Sequence, residues 1–422
     1  MENRYLCRRI NTDMEKAMNT KTFILQHAND DVRNLALQKD KFPDVDMNYA
    51  LDQIAGRQKA RLKIPSWAAN EDIIYPPHLS LEQCSSERTA KYKARLVRDL
   101  VCSKLSNSLP TTPFVLVDLT AGFGVDFTMM AKSLMDAGVL ADRMACVEQQ
   151  DGLCDIVRHN LSVMGLGEAR MINGNGVDYL RQLSHTSVLF LDPARRDAHG
   201  ARTFAISDCT PDVLSILQEL LEKADYVVLK LSPMLDIAAT VEALGNNHVH
   251  EVHVVSVANE CKELLVVLSK QADETRVFCV NDDISFSFPF HDTAPVPIAE
   301  QLSEGLYLYE PNASIMKAKC FGLICQRYGV ESVGSNSHLF VSPQLIDTFP
   351  GRKFRISAIS SMNKKELKTC LHGISQANIT TRNFPLSVQE LRKKLKLRDG
   401  GNTYIFVTTV GQTDHRLLIC QL

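Results

Sequence analysis

The sequence predicts an α/β protein in which a parallel β-sheet ends in an antiparallel hairpin, with a helical domain before it and small α+β modules after it. Three observations predict this class. A short apolar run, Phe114–Val117, leads through Asp118 into a glycine-containing turn and a helix-like stretch. Strand-like apolar runs then alternate with helix-like segments up to residue 270. The last two runs, 251–257 and 263–269, are too close together for a helix between them, which indicates a hairpin.

The turn after the first strand is the strongest candidate for a ligand site. Gly122 and Gly124 lack Cβ atoms and tolerate positive φ, so the backbone can approach a ligand closely there. Such a turn at the carboxyl end of a parallel strand is typical of a nucleotide-type cofactor site. Phe127 occupies the third glycine position of the pattern G-x-G-x-x-G, so pyrophosphate binding is not favoured. The alternative is an ordinary strand-to-helix turn of another α/β protein.

Composition is that of an ordinary globular protein. The 422 residues are 45% hydrophobic and 23% charged, with a formal net charge of −2, and they suffice for about two to four domains. Twelve cysteines are scattered without a C-x-x-C pair, so we expect no metal site and no disulfide scaffold, but reduced thiols in the cytoplasm. No apolar run approaches the roughly 20 residues of a membrane span, and we expect neither a signal peptide nor a membrane partner.

Changes of pattern along the chain predict four domains. These are an N-terminal helical domain (1–80), the domain with the sheet (81–272), a small α+β module of ferredoxin-like type (273–345) and a basic α+β domain (346–422). Residues 351–422 contain thirteen Lys and Arg against four Asp and Glu, whereas the rest of the chain is acidic. This excess of positive charge indicates a polyanionic partner, although a solvated basic surface explains it too.

The segment D-L-T-A-G-F-G-x-D (118–126) resembles the first motif of the class I S-adenosylmethionine-dependent methyltransferases. A parallel sheet that ends in an antiparallel hairpin is also the order of their Rossmann-like sheet. The resemblance implies S-adenosylmethionine as the cofactor, with Asp118 near its methionine end. The motif residues that the resemblance assigns to cofactor binding are Asp118, Thr120, Ala121, Gly122, Phe123, Gly124 and Asp126.

Two further residues are expected at the cofactor. Glu148 ends the second strand, where a carboxylate can accept hydrogen bonds from both hydroxyls of a ribose. Asn175 follows the third strand, where the family that this chain resembles has an acid that contacts the adenine amino group. The amide of Asn175 can still bond the edge of the base, but the missing acid is a departure from the pattern.

The fourth strand ends in Asp192-Pro193-Ala194-Arg195-Arg196. Relatives that methylate exocyclic amino groups of bases have an aromatic residue in this motif, so the arginines argue against that reaction. The motif is closer to the D-P-P-R of pyrimidine C5 methyltransferases. Those enzymes need a cysteine at the end of the next strand, where this chain has Lys230-Leu231-Ser232-Pro233. Covalent C5 attack therefore lacks its nucleophile.

These strand ends supply the expected catalytic residues, which are Asp192, Pro193 and Lys230. Asp192 would orient or deprotonate the acceptor, and positioning would supply most of the catalysis. Arg195 and Arg196 are the candidates for holding a phosphate of the acceptor. We therefore expect a substrate with a phosphate backbone.

One further set of residues has two interpretations. Lys93, Asp192, Lys230 and Glu263 follow the order K-D-K-E, which is similar to the tetrad of the ribose 2′-O methyltransferases, where a desolvated lysine deprotonates a hydroxyl. Lys93 lies in a helix-like stretch that Ser85 or Ser86 can cap. Alternatively, Lys230 forms a structural salt bridge with Asp192, and Glu263 caps a hairpin turn. Both interpretations stay open at this point.

The motifs D-L-T-A-G-F-G, L-D-P-A-R-R and K-L-S-P together are similar to those of a bacterial methyltransferase family with a THUMP-like C-terminal domain. THUMP-type domains are associated with tRNA modification, so the resemblance implies methylation of RNA, either tRNA or rRNA. Two alternatives remain. One is a methyltransferase of a small molecule or a protein, and the other is a non-catalytic RNA-binding protein whose Rossmann-like domain has degenerated.

Overall fold

A computed structural model of the chain describes residues 19–104, 112–195 and 206–422. These residues form two compact units. The first comprises the described residues up to His250 together with Leu265–Asp273, and the second comprises Glu251–Leu264 and Glu274–Leu422.

The first part of the described chain is helical. Its helices are α1 (19–26), α2 (Val32–Ala36), α3 (Met47–Lys63), α4 (Pro65–Ala68), α5 (His78–Gln83) and α6 (Glu87–Lys104). The side chains of Asp31 and Asp46 accept hydrogen bonds from first-turn amides of α2 and α3, so these helices begin there. Phe23, Leu35 and Ile54 are buried against one another in the local core. None of the helices in the described part of the chain is both long and apolar enough to cross a membrane.

Strands and helices then alternate. In chain order the elements are β1 (Phe114–Asp118), α7 (Val125–Asp136), β2 (Met144–Glu148), α8 (Asp151–Val163), β3 (Arg170–Asn173), α9 (Gly176–Gln182), β4 (Thr186–Leu191), β5 (Ala194–Arg195), β6 (Cys209–Thr210), α10 (Leu217–Lys223), β7 (Ala224–Leu231), α11 (Ile237–Leu244), β8 (Val249–Val257), β9 (Glu260–Leu268), β10 (Arg276–Asn281) and β11 (Ile284–Pro289). Apart from the short pair β5–β6, these strands belong to one sheet.

The strand order in this sheet is β3-β2-β1-β4-β7-β9-β8-β10-β11. Strands β3, β2, β1, β4 and β7 pair in parallel. Only Ala258 and Asn259 connect β8 to β9, and their φ angles of +51° and +60° suit a tight two-residue hairpin turn. Every residue of β1, β2 and β4 is buried, as central parallel strands require. The expected α/β class, a parallel sheet that ends in an antiparallel hairpin, is confirmed.

Strands β10 and β11 extend this sheet beyond the hairpin. Strand β10 pairs in parallel with β8, with Val277 opposite Val252, and β11 pairs antiparallel with β10. The sequence analysis grouped both strands with the small module of residues 273–345, because an alternating pattern predicts a strand but not its partner. The added strands cover β8, which would otherwise be an apolar sheet edge.

The rest of the second unit contains a seven-stranded sheet with the order β13-β14-β12-β15-β18-β17-β16. Its elements are β12 (Tyr307–Pro311), α12 (Ala313–Ala318), α13 (Phe321–Tyr328), β13 (Glu331–Ser332), β14 (Phe340–Ser342), β15 (Gly351–Ser360), α14 (Lys364–Cys370), β16 (Asn378–Arg382), α15 (Val388–Leu395), β17 (Thr403–Val410) and β18 (Asp414–Gln421). The sequence predicted one helix over 313–328. There are two, because Lys319 adopts the left-handed conformation, with φ +55°.

Each face of the seven-stranded sheet is covered differently. On one face, Leu308 of β12, Phe354 of β15 and Phe406 of β17 share a core with Ala299 and Leu339, which lie outside the strands. On the other face, Leu367 of α14 and Leu391 of α15 share a core with residues of β17 and β18. Helices α14 and α15 therefore lie on the same side of the sheet.

In the first sheet, helix α9 begins in close contact with the end of β1. A Cβ atom on Gly176 would lie 2.2 Å from the Leu119 carbonyl oxygen, so a side chain there requires the backbone to move. Gly174, two residues earlier, has no atom within 4 Å of such a Cβ. Glycine is therefore a steric requirement at position 176 and not at position 174.

We expect Gly176→Ala to lower the free energy of unfolding by about 1–3 kcal/mol, because the added methyl group overpacks the contact with β1. Gly174→Ala is the matched control and should change it by less than about 1 kcal/mol. The midpoint of urea unfolding measures both. Equal midpoints for the two variants would contradict the close approach of α9 to β1.

Candidate active site

The glycine turn, residues 119–124, connects β1 to α7 and is hydrogen-bonded to both neighbouring strands. The Leu119 amide donates to a carbonyl of β4 at 3.0 Å, and the Ala121 amide donates to a carbonyl of β2 at 2.9 Å. Gly122 and Gly124 have φ angles of +54° and +81°, which residues with a Cβ atom rarely adopt. The sheet and the two glycines therefore fix the path of this turn.

The two glycines have different surroundings. A Cβ atom on Gly122 would have only the Thr120 carbonyl oxygen near it, at 4.0 Å. A Cβ atom on Gly124 would lie 3.1 Å from the side chain of Val157 on α8. Gly124 therefore permits close packing, whereas Gly122 leaves open space beside the backbone for a ligand.

Glu148, at the end of β2, holds the glycine turn from the other side. One carboxylate oxygen accepts a hydrogen bond from the Gly122 amide at 3.0 Å. The other accepts from the amides of Gln149 and Gln150, at 2.9 and 3.0 Å. A carboxylate offers about four acceptor positions, so these three bonds leave one for a ligand hydroxyl.

Asp118 is almost completely buried at the end of β1, with 1% of its surface exposed. Its carboxylate accepts a hydrogen bond from the Thr120 amide at 2.9 Å. Burial raises the pKa of the Asp118 carboxyl to about 8, and the Thr120 bond only partly opposes this rise. A cation at this position would stabilise the ionised form.

Asp126, in the first turn of α7, is shared by two lysines. Its carboxylate oxygens lie 3.3 Å from Lys93 Nζ and 3.5 Å from Lys230 Nζ. The Ser85 hydroxyl donates to it at 2.7 Å. Burial works to raise the pKa of Asp126, but the two lysines and the Ser85 hydrogen bond together lower it. Asp126 is therefore an ionised carboxylate that stabilises two ammonium groups.

Asp192 lies at the end of β4, beside Lys230 at the end of β7. The Lys230 ammonium donates to the Asp192 carboxylate at 2.5 Å. The Asp192 backbone amide donates to the Thr120 hydroxyl at 2.7 Å. The Asp192 side chain is 38% exposed, whereas that of Lys230 is 13% exposed. Asp192 is thus held from two directions, yet its carboxylate remains accessible to an acceptor.

We name Lys93, Asp126, Lys230 and Asp192 the lysine–aspartate cluster. It contains three members of the K-D-K-E order, but the carboxylate between the two lysines is Asp126. The fourth expected member, Glu263, is buried in β9 and belongs to the second compact unit. Its place in a tetrad stays a prediction.

The helical N-terminal part packs on the glycine turn through aromatic rings. Phe123 is buried, and its ring centroid lies 5.0 Å from that of Trp67 and 6.3 Å from that of Tyr75. The Gln53 side-chain amide holds the Tyr75 backbone by two hydrogen bonds, donated to its carbonyl and accepted from its amide. Phe123 is therefore a packing contact for the turn.

Asn175 is the N-cap of α9. Its side-chain oxygen accepts hydrogen bonds from the amides of Val177 and Asp178, at 2.9 and 3.3 Å. Because the side-chain oxygen of Asn175 is used for capping, the group left to bind a ligand is the NH₂ group, which can only donate hydrogen bonds.

The remaining expected site residues lie just after β4. Pro193 is buried, and the backbone of Arg195 belongs to β5, which pairs with β6. Arg196 lies outside the described residues.

The sequence analysis missed the shared role of Asp126. It assigned this residue to the cofactor only because the motif resembles that of a known family. The link to Lys93 arises because α6 packs along α7, which a single sequence does not reveal. The sequence also left open whether Ser85 or Ser86 caps α6. The hydroxyl of Ser86 accepts a hydrogen bond from the Thr89 amide near the start of α6, whereas the hydroxyl of Ser85 donates to Asp126.

Comparison with solved structures includes a match over nearly the whole chain. It is a protein from Porphyromonas gingivalis W83 described as a "putative methyltransferase", with a TM-score of 0.80 and 30% identity over 95% of this chain and 97% of that chain. An O-methyltransferase from Bacillus cereus in complex with SAH has a TM-score of 0.32 and 13% identity over 49% of this chain and 100% of its own. A SAM-dependent methyltransferase from Agrobacterium tumefaciens has a TM-score of 0.29 and 16% identity over 43% and 61%.

Family models match the second compact unit. A ferredoxin-like domain model matches residues 307–350, and a THUMP domain-like model matches residues 351–422. No curated protein matches the chain. Because its 30% identity to the P. gingivalis protein extends over nearly all of both chains, the protein belongs to the same family as that "putative methyltransferase", and its own chain ends in a THUMP-like domain.

Proposed function

We propose that the protein transfers the methyl group of S-adenosylmethionine to RNA, either tRNA or rRNA, in the cytoplasm. The observation that carries this proposal is the position of Asp192. Its accessible carboxylate is oriented by Lys230 and its backbone is hydrogen-bonded to Thr120 of the glycine turn. These contacts support a cofactor site and an acceptor site next to each other, as methyl transfer requires.

The residues around the glycine turn fit the cofactor. The open space at Gly122 admits a ligand against the backbone. Asp118 is a buried carboxyl that favours a cation, and the amino group of the methionine part is one. Glu148 keeps one acceptor position for a ribose hydroxyl. The other residues that we assign to this site are Thr120, Ala121, Phe123, Gly124, Asp126 and Asn175.

The bound cofactor supplies a methyl group on a positively charged sulfur, which leaves readily as the methyl group is transferred. The protein must therefore hold the acceptor atom in line and take up its proton. Asp192 is the accessible carboxylate at this place, so we assign it both tasks. Pro193, buried directly after it, fixes the backbone at the end of β4.

Lys230 has a supporting role in this proposal. It lies between two carboxylates, at 2.5 Å from Asp192 and 3.5 Å from Asp126, so its ammonium is within ion-pair distance of both. A charged ammonium donates hydrogen bonds and cannot take a proton. Lys230 therefore orients Asp192, and Asp192 is the base.

The second compact unit supports RNA as the substrate. Exposed lysines cluster on the two helices that cover one face of the seven-stranded sheet, Lys364, Lys365 and Lys368 on or beside α14 and Lys393, Lys394 and Lys396 at the end of α15. Positive charge on one side of a domain is the electrostatic basis of phosphate-backbone binding. Arg195 and Arg196, after β4, are proposed to hold the phosphate of the target nucleotide.

The placement of Asp118 is tested by the pH dependence of stability. Its pKa of about 8 lies above the ordinary value of 3.8, so its stabilising contribution is complete below about pH 4 and is lost as the pH rises to about 8. We expect the free energy of unfolding of the wild type to fall more steeply between pH 5 and 8 than that of Asp118→Asn, by on the order of a few kcal/mol.

Urea unfolding at several pH values measures this difference. Asp155→Asn removes an exposed carboxylate and should leave the slope of the wild type unchanged. Saturating SAH should reduce the slope of the wild type, because its amino group stabilises the ionised carboxylate. Parallel curves for the wild type and Asp118→Asn would contradict the burial of this group.

Asp192→Asn tests the catalytic assignment. The amide keeps its shape but cannot accept a proton, so the rate of methyl transfer to total RNA should fall by about 10²–10⁴-fold, while SAH binding by calorimetry stays within about twofold. Asp225→Asn, at the opposite end of β7, is the control and should keep the wild-type rate. A wild-type rate in Asp192→Asn would refute the role of Asp192.

The RNA proposal is tested by charge reversal on α15. The double variant Lys393→Glu/Lys394→Glu should bind bulk tRNA more weakly, with the slope of log K against log salt reduced by about one for each lost phosphate contact. The matched control Lys39→Glu/Lys41→Glu changes two exposed lysines of the N-terminal part and should bind as the wild type does. If both double variants bind equally well, α15 is not an RNA contact.

A further inference from the structure

A second cavity lies in the N-terminal part of the first compact unit. Its volume is about 490 Å³, and it is lined by residues of α1 and α3, by Asp46, by residues 71–75 and by His159 of α8. None of its lining residues belongs to the glycine turn or to the lysine–aspartate cluster. Small-molecule sites typically have volumes of about 300–1,000 Å³, so this cavity is large enough for a ligand of its own.

Arg57, on α3, is the notable charge in this cavity. Only 6% of its surface is exposed. Its guanidinium donates one hydrogen bond of 3.3 Å to the Asn70 carbonyl and lies beside the Tyr75 hydroxyl. A guanidinium has five N–H donors, and within the described chain no carboxylate forms an ion pair with it. Buried charges are normally paired with a charge of opposite sign. The guanidinium of Arg57 can therefore be paired by the anionic group of a ligand.

Most of the other polar groups of the cavity already have hydrogen-bond or ion-pair partners. Gln53 binds the backbone of Tyr75 with both ends of its amide. Asp46 accepts a hydrogen bond from the first turn of α3, and Asp72 pairs with Lys21 at 2.9 Å. The carboxylates of Asp46 and Asp72 are therefore committed to other groups, Glu71 is exposed, and Arg57 has donors left for a ligand.

The rest of the lining is largely apolar. Ile24 and Leu25 of α1 form one wall, and Ile73 and the ring of Tyr49 form others. We propose that this cavity binds a small organic oxyanion, a carboxylate or a phosphate carried on an aromatic or apolar body, with the oxyanion on Arg57. A guanidinium binds either group through two parallel hydrogen bonds, and the apolar walls take the ring.

Calorimetry on the full-length protein tests this with benzoate, phenyl phosphate and benzyl alcohol. The three probes share a ring and differ in the group that would meet Arg57. One or both anions should bind at one site per chain with a dissociation constant of about 1 mM or lower, and neutral benzyl alcohol should bind more weakly. The anion with the lower dissociation constant shows whether the site prefers a carboxylate or a phosphate. No binding of either anion at about 10 mM would overturn the proposal.

Variants locate the site. Arg57→Gln should weaken anion binding by about tenfold or more, whereas Arg61→Gln, an exposed arginine one turn further along α3, should not. Leu25→Trp narrows the cavity from its outer wall without removing a charge and should abolish binding. Unchanged binding in Arg57→Gln would overturn the proposal. Should that variant fail to fold, unchanged binding in Leu25→Trp would overturn it instead.

Discussion

One hydrogen bond joins the two sides of the candidate active site, and the arrangement of the other groups depends on it. The Thr120 hydroxyl accepts from the Asp192 backbone amide at 2.7 Å, while the Thr120 amide donates to Asp118. Thr120 thus ties the end of β4 to the end of β1. Because the strands on either side are buried and closely packed, this hydrogen bond fixes the position of the Asp192 carboxylate relative to the glycine turn.

Charge balance explains how the site tolerates a completely buried lysine. Lys93 has no exposed surface, and Lys230 is nearly buried, yet Asp126 lies within ion-pair distance of both. Two ammonium groups and two carboxylates leave the cluster neutral. Removal of Asp126 would take away a carboxylate that both lysines contact, and the loss of one partner of a buried ion pair is far more costly than the pair is stabilising. The charges of the cluster therefore hold one another's side chains in position, and its members act as a unit.

The sequence was informative where a local rule decides the structure. Apolar runs that end in Asp118 or Glu148, with Gly122 and Gly124 between helix and strand, allow few arrangements other than a parallel sheet with a turn at its carboxyl edge. Contacts between segments that are distant in the sequence could not be predicted. The two lysines on Asp126 depend on how α6 packs along α7, and β10 pairs with β8 through an edge that no sequence pattern identifies.

The seven-stranded sheet combines two segments that family models treat separately. Strand β12, in the ferredoxin-like match, pairs along its length with β15, in the THUMP-like match, and Leu308 and Phe354 belong to one core. A fragment that begins after residue 350 would lack β12, so the backbone edge of β15 and part of the apolar core would be exposed to solvent. Such a surface is prone to aggregation. The smallest fragment that can fold on its own therefore includes both segments.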